Sequence, residues 1–159
     1  MNASPTPSPS PADVERALWA LRAYDVLALA TVSPAGPHVA GIFFAPEPDG
    51  RGGIRLLLSV LRDSRKHREL LADPRVGFMC SPGNPSRWIQ GEGVARAARD
   101  DEDGALMLQR LVEHAPGASV FVDRLPVVPV VVEVRGLKVV EDMTQPALVL
   151  ELGPSREAA

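Results

Sequence analysis

Three apolar runs joined by two short, turn-rich links constrain this chain more than any other feature. They are "VLALATV" (Val26 to Val32), "HVAGIFFA" (His38 to Ala45) and "IRLLLSV" (Ile54 to Val60). The first link, "SPAGP", carries Pro34 and Gly36, and the second is "PEPDGRGG". A parallel crossover needs about a dozen residues or more, so links this short make the runs antiparallel neighbours in a meander. Four further runs read as strands: "RVGFMC", "RWIQGEGVARAA", "VVPVVVEVRGLKVVE" and "ALVLEL", the last from Ala147 to Leu152. Gly91 and Gly93 mark a bulge or bend in the fifth strand, and Pro129 belongs at an edge or a strand start.

Helical signals flank these strands. Ser10, Pro11 and Asp13 form a capping signal ahead of Val14, Leu18 and Leu21, which predicts a helix over Pro11 to Tyr24. A second helix starts from a cap at Asp63 or Ser64 and runs to about Leu71, where Pro74 follows closely. A third covers "DDEDGALMLQRLVEHA", Asp100 to Ala115. The expected fold is mainly β (α+β): an antiparallel barrel of six or seven strands with two or three peripheral helices. It is expected as one domain over 11–152, behind a disordered Pro/Ser-rich tail at 1–10 and ahead of a flexible C-terminus at 153–159.

Composition narrows the function. Against 20 Asp+Glu the chain has 17 Lys+Arg, a net charge of −3, which is no broad footprint for nucleic acid. No apolar run approaches the roughly 18 residues needed to cross a bilayer, and "MNASPTPSPSPA" is not a secretory leader, so no membrane partner and a cytoplasmic location are expected. Cys80 is alone and sits at a strand end, the place of a small buried hydrophobe. His38, His67 and His114 are scattered, so no metal site is expected. Dinucleotide fingerprint, phosphate loop and nucleophile elbow are all missing, which leaves the catalytic residues unknown.

One stretch resists a bland explanation. "LRDSRKHREL" crowds Arg62, Arg65, Lys66, His67 and Arg68 into an acidic chain. Arg65, Lys66 and His67 fall in the first turn of the second helix, where the positive end of the helix dipole disfavours cations by about 0.3–1 kcal/mol each. A bound anion reverses that sign, because free N–H groups, the Ser64 hydroxyl and the basic side chains can then converge on one phosphate.

From about Val26 to Ala98 the chain resembles the pyridoxamine 5′-phosphate oxidase-like, flavin-binding split β-barrel superfamily. The likeness rests on "LATVSPAGPHV", on "LLLSVLRDSRKHRELLADPRVGF" and on "IQGEGVAR". It implies that Ser64, Arg65 and Lys66 hold the phosphate of FMN, that Ser59 and Val60 line the same cofactor, and that Trp88 lies near the flavin ring. It also implies a homodimer with the cofactor between subunits, acting on a small-molecule substrate as an oxidoreductase. The alternatives are a deazaflavin-dependent reductase of the same fold and a non-catalytic haem- or flavin-binding protein. True vitamin B6 oxidation is not expected: the second strand offers no cation beyond His38, and "ALVLELGPSREAA" has no tryptophan.

Overall fold

Alternation along the strands separates an inside from an outside. In the computed structural model, which describes residues 8–81 and 85–153, β1 (Val26–Ser33) buries Leu27, Leu29 and Thr31 and turns Val26, Ala28, Ala30 and Val32 outward. It pairs antiparallel with β2 (Gly36–Pro48), which pairs with β3 (Ile54–Leu61), as the short links require. β2 is longer than the sequence suggests. It runs through the prolines to Pro48 because Glu47 meets Arg55 across the strands at 2.5 Å, so the turn shrinks to Asp49–Gly53. There Asp49 Oδ1 accepts from the amides of Arg51 and Gly53.

The sheet continues from β1 to β4 (Arg75–Cys80), then β5 (Trp88–Ala97), then β6 (Val127–Val140). One edge of β6 pairs with β5. The other edge pairs first with β3, through Val127–Glu133, and then with β7 (Leu148–Glu151). The contact between β6 and β3 closes a six-stranded antiparallel barrel, with β7 added outside the ring. The register slips between Glu92 and Gly93, which places the expected bulge. Gly93 is required there, since a Cβ would lie 2.4 Å from the carbonyl oxygen of Glu133. Pro129 sits near the start of β6, one residue before pairing with β5 begins.

Leu27, Leu29, Phe44, Leu56, Leu58 and Val132 fill the barrel, and α1 (Pro11–Leu21) packs Leu18 and Leu21 against that core. Ser10 caps α1 by accepting from the amide of Asp13. The helix stops at Leu21 rather than Tyr24, because the amides of Ala23 and Tyr24 bond back three residues in tight turns. α2 (Arg65–Ala72) follows β3, and α3 (Gly104–His114) lays Met107 and Leu111 over the outward-facing Ala45, Leu57 and Val131. A 3₁₀ turn, Pro116–Ala118, leads into α4 (Ser119–Arg124). Among the described residues there are therefore four α-helices, against the expected two or three. The added one, "SVFVDR", has two β-branched valines, no side-chain cap and no buried residue, so no local signal announces it.

The acidic run before α3 divides its work. Asp103 caps the helix by accepting from the amide of Leu106 at 3.1 Å. Glu102 instead joins an ion network on the barrel wall, 2.6 Å from Arg96 and 2.9 Å from Arg55. Arg96 also reaches Glu133, and Glu47 also reaches Arg110. Arg96 holds the Glu102 carboxyl down at about 2, helped by the backbone amide of Arg99. Cys80 is buried and its thiol is pushed up to about 12 by burial, which makes it a core hydrophobe. Among the described residues no helix is long and apolar enough to cross a membrane. The expected tail and C-terminus lie outside the described residues, apart from Ser8–Ser10 and Gly153.

Candidate functional site

The start of α2 and the whole of α4 stand on either side of the outer wall of β1, β2 and β3, and they enclose a cleft of about 420 Å³. Val26, Gly41, Ser59 and Leu61 supply its floor, and Phe43 rises from β2 as part of its wall. Each of these side chains points outward by strand alternation, and a Cβ on Gly41 would meet nothing within 4 Å. Ser64, Arg65 and Lys66 form the basic end, and Phe121 of α4 closes the opposite side. The lining is mostly apolar, with its polar groups gathered at the helix start, the composition of a pocket that holds a small organic ligand by one charged end.

Ser64 is the cap of α2. Its Oγ accepts from the amide of His67 at 3.2 Å, while Asp63 adopts a left-handed conformation with φ 59° that turns the chain into the helix. This geometry leaves the first-turn amides of Arg65 and Lys66 without intrahelical acceptors, at the mouth of the cleft.

The two cations differ sharply. Arg65 donates from Nε to Oε1 of Glu69 at 2.9 Å and touches Nε2 of His38. Glu69 is buried, accepts from Thr31 at 2.7 Å and lies 2.7 Å from Nδ1 of His38. The Thr31 bond, then those from Arg65 and His38, hold its carboxyl below the usual range despite burial. Lys66 has no hydrogen bond or ion pair among the described residues. It is half-buried, and burial lowers its ammonium from the usual lysine value. A partly desolvated cation with no partner, beside an apolar cavity, is a place for an anion.

Five of the six residues expected at the site are brought together. Ser59, Ser64, Arg65 and Lys66 offer side chains, whereas Val60 points into the barrel and is 2% exposed, so it borders the cleft by its main chain. Trp88 does not line the cleft of its own chain. It lies at the start of β5, half-buried, with Nε1 donating to Oε1 of Gln90 at 3.1 Å. His38, which the sequence shows as a lone histidine, is tied through Glu69 to the basic end. Phe43 and Phe121, whose ring centres lie 6.2 Å apart at 54°, were not expected at the site. They are 78 residues apart in sequence, and the fold brings them together where α4 packs on β3 and α3 beside β2.

Comparison with known proteins bears on the fold and the family. A search of the curated proteins finds no match. Among solved structures, a heme-binding protein from Mycobacterium smegmatis is similar at 21% identity and a TM-score of 0.67, over 92% of this chain and 60% of that one. HutZ, the heme storage protein of Vibrio cholerae, is similar at 19% identity and a TM-score of 0.61, over 79% and 94%. An FAD-binding protein from Mesorhizobium loti is similar at 19% identity and a TM-score of 0.58, over 77% and 88%. At these identities the likeness is one of fold. The family model described as pyridoxamine 5′-phosphate oxidase matches residues 15–139, a span running from α1 to the end of the barrel and including every cleft residue named above. The chain therefore belongs to the pyridoxamine 5′-phosphate oxidase family.

Proposed function

We propose that this protein binds FMN in the cleft and acts as a flavin-dependent oxidoreductase on a small molecule. The observation that carries this reading is Lys66, a half-buried ammonium with no partner among the described residues, at the start of a helix beside an apolar cavity. A phosphate there is met by the Lys66 charge, the Ser64 hydroxyl, the first-turn amides and the free part of the Arg65 guanidinium. The apolar floor and the Phe43–Phe121 wall then receive a planar ring. When bound, the flavin supplies the hydride chemistry, so the chain's own residues need only fix the phosphate, orient the ring and shape the space for a second reactant. This accounts for a cleft with no paired acid and base.

The homodimer expected from the resemblance has a candidate surface. Val26, Ala28, Ala30 and Val32 of β1, Val39 and Gly41 of β2, and Gly77 and Met79 of β4 share one outer face, where Val39 is 70% and Met79 42% exposed. Small residues at its centre let two sheets approach closely. The order β1–β4–β5 puts Trp88 two strands from the edge of the cleft floor at Val26, about 10 Å at ordinary strand spacing. A two-fold pairing through this face exchanges those positions, so Trp88 of one copy approaches the cleft of the other.

One observation favours a second reading, a deazaflavin cofactor. Arg65 also borders a neighbouring cavity of about 660 Å³ lined by Pro34, Ala35 and Arg68 as well as Glu69 and Asp73, which gives a longer tail room beyond the cleft and two arginines to meet its acid groups. Haem fits less well, since among the described residues no His, Cys, Met or Tyr lines the cleft to ligate iron. The test is an absorption spectrum of the purified protein, followed by parallel titration with FMN, riboflavin and the deazaflavin. Micromolar or tighter FMN binding with turnover of a quinone or other acceptor supports the proposal. Selective deazaflavin binding replaces it, and a Soret band with no flavin binding overturns it.

A further inference from the structure

Gly117 has no room for a side chain. A Cβ there would stand 2.6 Å from Cζ of Phe43 and 2.8 Å from Cε1, so the 3₁₀ turn before α4 presses directly on the Phe43 ring. Phe121 meets the same ring from α4. Phe43 is therefore confined by main chain and by an aromatic neighbour while another part of it lines the cleft. α4 carries no buried residue, and it presents Phe121, 45% exposed, to the cavity together with the exposed Val120 and Leu125 nearby. An exposed phenylalanine on a helix that buries nothing contributes little to folding, but its face is available for a flat ligand.

We propose that Phe43 and Phe121 form the wall that selects a planar aromatic ring in the cleft, and that Gly117 is a positioning residue that sets where this wall stands. The inference rests on the reading of the cleft as a flavin site and deepens it by assigning ring recognition to residues distinct from those of phosphate recognition. The phosphate is met at the start of α2. The ring is met across the cavity, by β2 and α4. Adding a methyl group at Gly117 pushes Phe43 toward the floor and narrows the slot without touching the basic end.

The test separates the two ends with three probes: lumiflavin, which is ring alone, inorganic phosphate, and FMN. Phe121→Ala is expected to weaken lumiflavin and FMN by about threefold to tenfold, the range of an aromatic contact, and to leave phosphate binding unchanged. Gly117→Ala is expected to do the same. Thermal midpoints of all variants control for folding. Unchanged lumiflavin binding in Phe121→Ala overturns the inference while FMN binding that depends on Lys66 still stands. Equal loss of phosphate and lumiflavin in Gly117→Ala also overturns it, since that is general distortion. Failure of the parent protein to bind lumiflavin or FMN overturns both this inference and the proposed function.

Discussion

Arg65 and Glu69 stand one helical turn apart with Nε 2.9 Å from Oε1, and this contact leaves Lys66 as the uncompensated charge of the cleft. Glu69 is itself fixed by Thr31, so part of the Arg65 guanidinium is already engaged, while Lys66 beside it lines the cavity with no such contact among the described residues.

Lys66→Ala is accordingly expected to weaken FMN binding more than Arg65→Ala does. A charge-assisted hydrogen bond contributes about 1.5–3 kcal/mol, or roughly tenfold to 150-fold in affinity. Riboflavin, which lacks the phosphate, should bind the parent and Lys66→Ala alike. Fluorescence titration of both ligands decides the matter, and equal losses for the two would remove Lys66 from phosphate recognition.

Acid should loosen the ion network at Glu102. Its carboxyl lies at about 2 in the folded chain against an ordinary 4.5. A depressed folded value means a contribution fully present above the unfolded value and lost as pH falls through the folded one. The expected decline therefore runs from pH about 4.5 down to about 2. Glu102→Gln, with no charge to lose there, should show a shallower fall of thermal midpoint over that window. Parallel curves for parent and variant would show that the network adds nothing.

Val39→Glu places a charge on the outer face of β2 at a site that is 70% exposed, so a monomer should fold normally. Light scattering is expected to give twice 17.0 kDa for the parent and one chain mass for the variant. A variant that stays dimeric moves the interface elsewhere.

Gly93→Ala should destabilise the barrel by about 1–3 kcal/mol, because the new methyl group meets the Glu133 carbonyl oxygen at the bulge. Gly41→Ala is the control. Its methyl group meets no atom within 4 Å, and its denaturation midpoint should stay in place.

Much of this architecture was legible in advance because its signals are local. The apolar runs of β1 to β3, the turn residues between them and the Ser64 cap of α2 are each written within a few neighbouring residues. So was the basic end of the cleft, since a cap followed by cations is itself a local pattern. The missing parts are tertiary. α4 lacks capping and propensity, and the aromatic wall joins residues from opposite halves of the chain. Alternation also had more to say than was taken from it: counting outward from Ser59 turns Val60 toward the core.

The seam between β3 and β6 has a consequence in time. Sixty-six residues separate Leu61 from its partner Val127, and the ring cannot shut until the chain beyond Val127 has been made. A nascent chain thus carries the β3 edge open while the residues from Arg62 to the start of β6 are made, a template for wrong partners that β6 later covers. Barrel closure should be the slow step of refolding, with α2 forming earlier. Chains stopped before Val127 should aggregate in proportion to concentration. If such truncated chains stayed monomeric and soluble, the open edge would be guarded by something other than β6.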